Sequence, residues 1–131
     1  MNNYHPYYQN YINPYYQNGT SGQRDLSAIE LVNPDIIQTR EGRIVDYTHF
    51  TITDAKGYEK KLNMKGANPR VMPWTRVFVS IAELDGNNNP FIGLASMEVH
   101  NVVPYEDYII VRGYIGWEKN LKARLSIHWM N

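Results

Sequence analysis

Leu121, Ala123, Leu125, Ile127 and Trp129 alternate without a break with Lys122, Arg124, Ser126 and His128. Successive side chains of a β-strand point to opposite faces, so a repeat of two is the mark of a strand lying on a core. One face of this segment is expected to be buried, and the other to be wet or to meet a partner. A strand of this kind cannot stand alone, so the rest of the chain has to supply its neighbours.

The sequence upstream offers them. Residues 43–53, RIVDYTHFTIT, are rich in the β-branched and aromatic types that suit a pleated surface. Asp54-Ala55-Lys56-Gly57 reads as a turn, and 58–64 as a second strand. Pro69 and Pro73 bracket a loop. Residues 76–82 place Val77, Val79 and Ile81 on one face. Asp85-Gly86-Asn87-Asn88-Asn89-Pro90 is a loop by its turn residues, and strands follow at 91–99 and 107–115. With the last, these make six strands joined by connections too short for parallel crossovers. The expected fold is all-β, a six-stranded antiparallel sandwich over 40–131. Residues 25–32 predict a turn or two of helix capped by Asp25 and stopped by Asn33-Pro34, within a helix/linker segment spanning 25–39.

Residues 1–24 are of another kind. The pentapeptide Pro-Tyr-Tyr-Gln-Asn occurs at 6–10 and again at 14–18. Six of the eleven tyrosines (Tyr4, Tyr7, Tyr8, Tyr11, Tyr15 and Tyr16) lie in this leader. Pro6, Pro14 and the run Gly19-Thr20-Ser21-Gly22 oppose regular structure, and the segment is too poor in aliphatic residues to build a core. Two readings fit: a disordered tail, or an extended docking arm. Tyrosine brings apolar area and a polar tip at low entropic cost, as a docking arm requires.

Composition excludes several functions. Thirteen Lys and Arg balance thirteen Asp and Glu, so there is no electrostatic case for a nucleic-acid partner. No cysteine is present, which removes disulfides, thiolate metal sites and cysteine nucleophiles. No segment is apolar for the length of a membrane span. The N-terminus has no basic-then-apolar signal pattern, so assembly, lysis or a dedicated exporter is the expected route to any surface.

The sequence carries no recognisable catalytic or metal motif. There is no phosphate-binding glycine loop and no nucleophile elbow. His5, His49, His100 and His128 show no zinc-ligand spacing. His49, on a predicted strand, is a candidate general base or a histidine hydrogen-bonded within the sheet. Glu106 and Asp107, if on a strand, would point to opposite faces and not cooperate. Asp85 with Asn87 to Asn89 lacks the alternating acids of a calcium loop and reads as a plain turn. The chain is therefore expected not to be an enzyme and to need no cofactor or metal.

The run Val77-Phe78-Val79-Ser80-Ile81-Ala82-Glu83-Leu84-Asp85 resembles the "V-x-V-S-I-x-x-L-D" strand of the H-type lectins, the snail-agglutinin and discoidin C-terminal-domain family. Pro73 sits where that family has prolines ahead of the strand. Leu125-Ser126-Ile127-His128-Trp129 is similar to its closing "S-I-S-W", and Glu41-Gly42-Arg43-Ile44 to its opening "S-G-x-I". The resemblance spans residues 40–131 and rests on the order and spacing of these pieces.

It implies a homotrimer with sugar sites where protomers meet, binding N-acetylgalactosamine-type glycans without chemistry. Aligned back from Trp129, Trp117 falls on the family's sugar-contacting tryptophan, with Glu118, Lys119 and Asn120 beside it. An indole suits the apolar C–H face of a pyranose, and polar neighbours suit its hydroxyls. The alternative for Trp117 is a half-buried loop residue without a ligand. Glu118 replaces the family's histidine, Ala123 its tyrosine, and Phe91 its sugar-holding arginine, while Asp46 lies near its acidic contact. The expected function is a glycan-binding module at an extracellular or particle surface (phage virion, spore or cell), with the leader docking it on a larger assembly. The rival is a structural assembly subunit of a phage tail, spore coat or surface filament with no sugar ligand.

Overall fold

The computed structural model describes residues 22, 24–35, 39–40 and 43–131. The expectations for residues 1–21 and for Glu41-Gly42 lie outside the described residues.

The body is all-β, and six long strands carry it: β4 (Tyr47–Asp54), β5 (Lys56–Asn63), β7 (Arg76–Leu84), β9 (Met97–Tyr105), β10 (Tyr108–Ile115) and β11 (Leu121–Met130). Short pieces complete it: β1 (Leu31–Val32), β2 (Thr39–Arg40), β3 (Arg43–Val45), β6 (Ala67–Asn68) and β8 (Pro90–Phe91). One sheet has the order β1-β5-β10-β9, a second β4-β11-β7-β8, and a small third β2-β3-β6. Pairing among the six long strands is antiparallel throughout.

The alternation at the C-terminus becomes the centre of the second sheet. β11 pairs with β4 on one side and β7 on the other, with Leu125 opposite both Phe50 and Ile81. Ala123, Leu125, Ile127 and Trp129 are buried, together with Phe50 and Ile52 of β4. Facing them are Tyr58 and Leu62 of β5 and Ile109, Val111 and Ile115 of β10. Two sheets thus share one dry interior, the sandwich arrangement. Trp129 donates its indole N–H to the Pro69 carbonyl at 2.7 Å, which satisfies the one polar group that this large ring carries into the core.

Four local expectations are corrected. The helix predicted over 25–32 is a single turn: Asp25 Oδ1 accepts from the Ser27 amide at 2.9 Å, and Leu31–Val32 then pairs in parallel with β5. So short a helix would not repay its nucleation, whereas the open edge of β5 offers backbone partners, as when Lys61 N–H donates to the Glu30 carbonyl at 2.9 Å. The strand predicted at 43–53 is bent at Asp46, whose φ is 34°. The strand predicted at 91–99 divides into β8 and a later β9, because residues 92–96 cross from one sheet to the other. Pro104 is accommodated in β9 because that strand lies at the sheet edge. Finally, Glu106 and Asp107 form the tight turn between β9 and β10. Both carboxylates reach Arg70, at 2.8 and 3.0 Å, so they share a cation instead of opposing each other across a strand.

Candidate functional site

The loop from β10 to β11 places Trp117. Ile115 is the last buried residue of β10. The chain then turns tightly: Gly116 N–H donates to the Ser96 carbonyl and Trp117 N–H to the Ile115 carbonyl, each at 2.9 Å. The indole is left 41% exposed. Beside it lies a depression of about 560 Å³ lined by Lys56, Tyr114, Gly116, Trp117, Glu118 and Lys119. Tyr114 stands on the outward side of β10, opposite Gly57 and Glu98 of the flanking strands. Lys56 enters from the start of β5 in a left-handed conformation, φ 59°. Its ammonium lies 3.4 Å from Glu118, with both side chains largely in solvent. Among the described residues Lys119 has no hydrogen-bond or ion-pair partner.

The depression offers two aromatic rings, two ammonium groups and one carboxylate around an open floor. Flat apolar faces beside hydrogen-bonding groups match a ligand that is apolar on one side and hydroxylated at its edge.

Of the expected site residues, Trp117, Glu118 and Lys119 are brought together. Asn120, the last residue of the β10–β11 loop, is exposed but outside the lining. Phe91 lies at the same end of the sandwich on edge strand β8, separated from β11 by β7, and does not line the depression. Asp46 precedes β4, whose far end, Asp54, pairs with Leu121. The length of β4, at roughly 3.4 Å per residue, puts Asp46 about 25 Å from the Trp117 loop. Within one chain Asp46 therefore does not belong to this site. Tyr114 and Lys56 were missed. Parity along β10 signals that Tyr114 points outward, but nothing local to Lys56 reveals its neighbour sixty residues on.

The remaining candidates have other partners. His49 Nδ1 lies 3.0 Å from Asp35 Oδ2, which also accepts from the Thr51 hydroxyl at 2.7 Å. His49 borders a second depression, of about 360 Å³, on the outer face of the β4-β11-β7 sheet, with Tyr47, Phe78, Ser80, Ser126 and His128. His100 lies 2.8 Å from Glu98, and that hydrogen bond holds the Glu98 carboxyl below its ordinary value. His5 lies outside the described residues. Asp85 Oδ1 accepts from the amides of Asn87 and Asn89, at 2.8 and 3.0 Å, and so organises its own loop. Among the described residues no group of three or more His, Asp or Glu gathers as a metal site, and no helix is long and apolar enough to cross a membrane.

Compared with protein families, with curated proteins and with solved structures, the chain matches none.

Proposed function

We propose that the chain is a lectin-like carbohydrate-binding module that recognises glycans without acting on them. One observation carries the reading: an indole left open to solvent beside a second aromatic ring, two ammonium groups and a carboxylate. The indole takes the C–H face of a pyranose, and Lys56, Lys119 and Glu118 take its polar groups. The resemblance to H-type lectins belongs to the same proposal, as does the homotrimer. The outer face of the β4-β11-β7 sheet supports self-association, since Tyr47, Phe78 and Met130 stand exposed on it. In this reading the leader holds such heads on a larger particle at an extracellular or virion surface.

The test is a glycan array on the full chain beside Trp117→Ala. The variant is expected to lose its glycan signal while keeping its Tm and oligomeric state. A blank array for the intact, folded protein would overturn the proposal.

A specific feature favours the rival, an assembly subunit with no sugar ligand. Ile92 is 102% exposed and Leu94 92%. Two aliphatic side chains projected fully into water suit a contact with another subunit. Electron microscopy separates the readings: ordered filaments or sheets support the rival, and discrete oligomers the lectin.

A further inference from the structure

Charge at the Trp117 depression is unbalanced. Lys56 and Lys119 contribute two cations to its lining and Glu118 one anion. The acids behind the wall are already engaged. Asp54, two residues before Lys56, lies 2.8 Å from the Lys60 ammonium. Glu98, opposite Tyr114 in the sheet, is bonded to His100. The one internal pair, Lys56 with Glu118, is long and exposed at 3.4 Å, so it holds its members weakly and a ligand anion seated beside the indole can take the glutamate's place. Lys119 has no partner to give up among the described residues.

A neutral sugar would leave this surplus unused. We infer that the depression selects a saccharide carrying an anionic group, its ring on Trp117 and its charge between Lys56 and Lys119. The inference rests on the glycan-binding reading and narrows its ligand class. A carboxylate (a uronic or sialic acid) and a sulfate ester share the required chemistry, since each presents a compact cluster of acceptor oxygens to ammonium donors.

The experiment uses the full chain on an array of matched neutral, carboxylated and sulfated saccharides at low and physiological salt, with Trp117→Ala, Lys119→Gln and Glu118→Gln in parallel. An anionic sugar is expected to bind about tenfold or more above its neutral counterpart, and salt is expected to narrow the gap. Lys119→Gln should remove most of that preference, and Glu118→Gln should enlarge it by freeing Lys56. The carboxylated and sulfated arms identify which anion is preferred. Neutral sugars bound as well as anionic ones, with Lys119→Gln silent, would overturn the inference and leave the glycan-binding reading standing. Anionic binding that survives Trp117→Ala would place the anion elsewhere and also overturn it. No binding to any saccharide by the folded protein would overturn the glycan-binding reading itself.

Discussion

At the scale of the single residue, the least room at any glycine among the described residues is at Gly113. It lies in β10, where the register against β9 shifts between Arg112 and Gly113. A methyl group at this position would come within 2.0 Å of the Glu98 carbonyl oxygen and 2.3 Å of the Tyr58 hydroxyl. Those two atoms are themselves joined by a 2.8 Å hydrogen bond. Backbone on one side and a buried ring on the other leave nothing free to move, so Gly113→Ala must break the hydrogen bond or push β9 away from β10. A cost of about 3 kcal/mol or more is expected. Gly57, which precedes Tyr58 on β5 and pairs with Tyr114, has nothing within 4 Å of its would-be Cβ and serves as the control. Gly57→Ala should change stability by no more than roughly 0.5 kcal/mol. Urea denaturation of the two variants beside the parent decides the matter, and equal midpoints would show that the β9–β10 contact yields more easily than its geometry implies.

At the scale of the element, β5 shows how much of the fold the sequence displays and where it stops. Five of the six long strands are legible in the sequence, whereas β9, expected within 91–99, begins only at Met97. β11 matches its expected bounds to within a residue, since every second side chain from Leu121 to Trp129 is apolar. In β5 the same parity puts Tyr58, Lys60 and Leu62 on the buried side, and a lysine there reads as an error of register. Its partners explain it, but they are distant. Lys60 Nζ reaches Glu30 at 2.6 Å and Asp54 at 2.8 Å. Burial pulls the ammonium's pKa down, and hydrogen bonding to the two carboxylates outweighs it, leaving the value raised. Nor could the sequence indicate that Leu31–Val32 would close the β5 edge, because strand pairing depends on which edge is free and not on the local pattern. The consequence is a boundary in the N-terminal region. Residues 24–32 belong to the body: Arg24 makes a two-pronged ion pair with Glu59, and Glu30 holds Lys60. Deleting residues 1–21 should leave Tm unchanged. Deleting 1–32 should uncover the β5 edge, leave Lys60 with Asp54 alone, and cost on the order of 2 kcal/mol or more. Thermal unfolding and light scattering of the two truncations test this, and an unfolded 1–21 deletion would move the leader into the core.

At the scale of the whole molecule, the candidate site and the pH response both depend on contacts between distant parts of the chain. Trp117 and its two charged neighbours were legible because they are contiguous, whereas Lys56 and Tyr114 enter through the sheet, from β5 and β10. The same long-range pairing sets the limits of stability. On the acid side, hydrogen bonding to Arg24 holds the Glu59 carboxyl below its ordinary value, and hydrogen bonding to Arg70 does the same for Asp107. A carboxyl lowered on folding contributes stability that is complete above the unfolded value, about 4, and is lost as pH falls through the folded one. On the alkaline side, burial, with the charges of Asp54 and Glu98, pushes the Tyr58 hydroxyl up to about 12, and Lys60 is raised as well. A group raised on folding contributes stability that is complete below its unfolded value, about 10 for both, and is lost as pH climbs through the folded one. Stability should therefore form a plateau through neutrality and fall below about pH 4 and above about pH 10. Tyr58 links the alkaline limb to a single atom, because ionising its hydroxyl would place a charge beside Gly113 of β10 and remove the proton it donates to the Glu98 carbonyl of β9. Tyr58→Phe should cost about 1 kcal/mol at neutral pH for the lost hydrogen bond and flatten the fall between about pH 10 and 12. Urea midpoints measured across pH 3–12 for parent and variant give both limbs, and superimposable alkaline limbs would remove Tyr58 as their source.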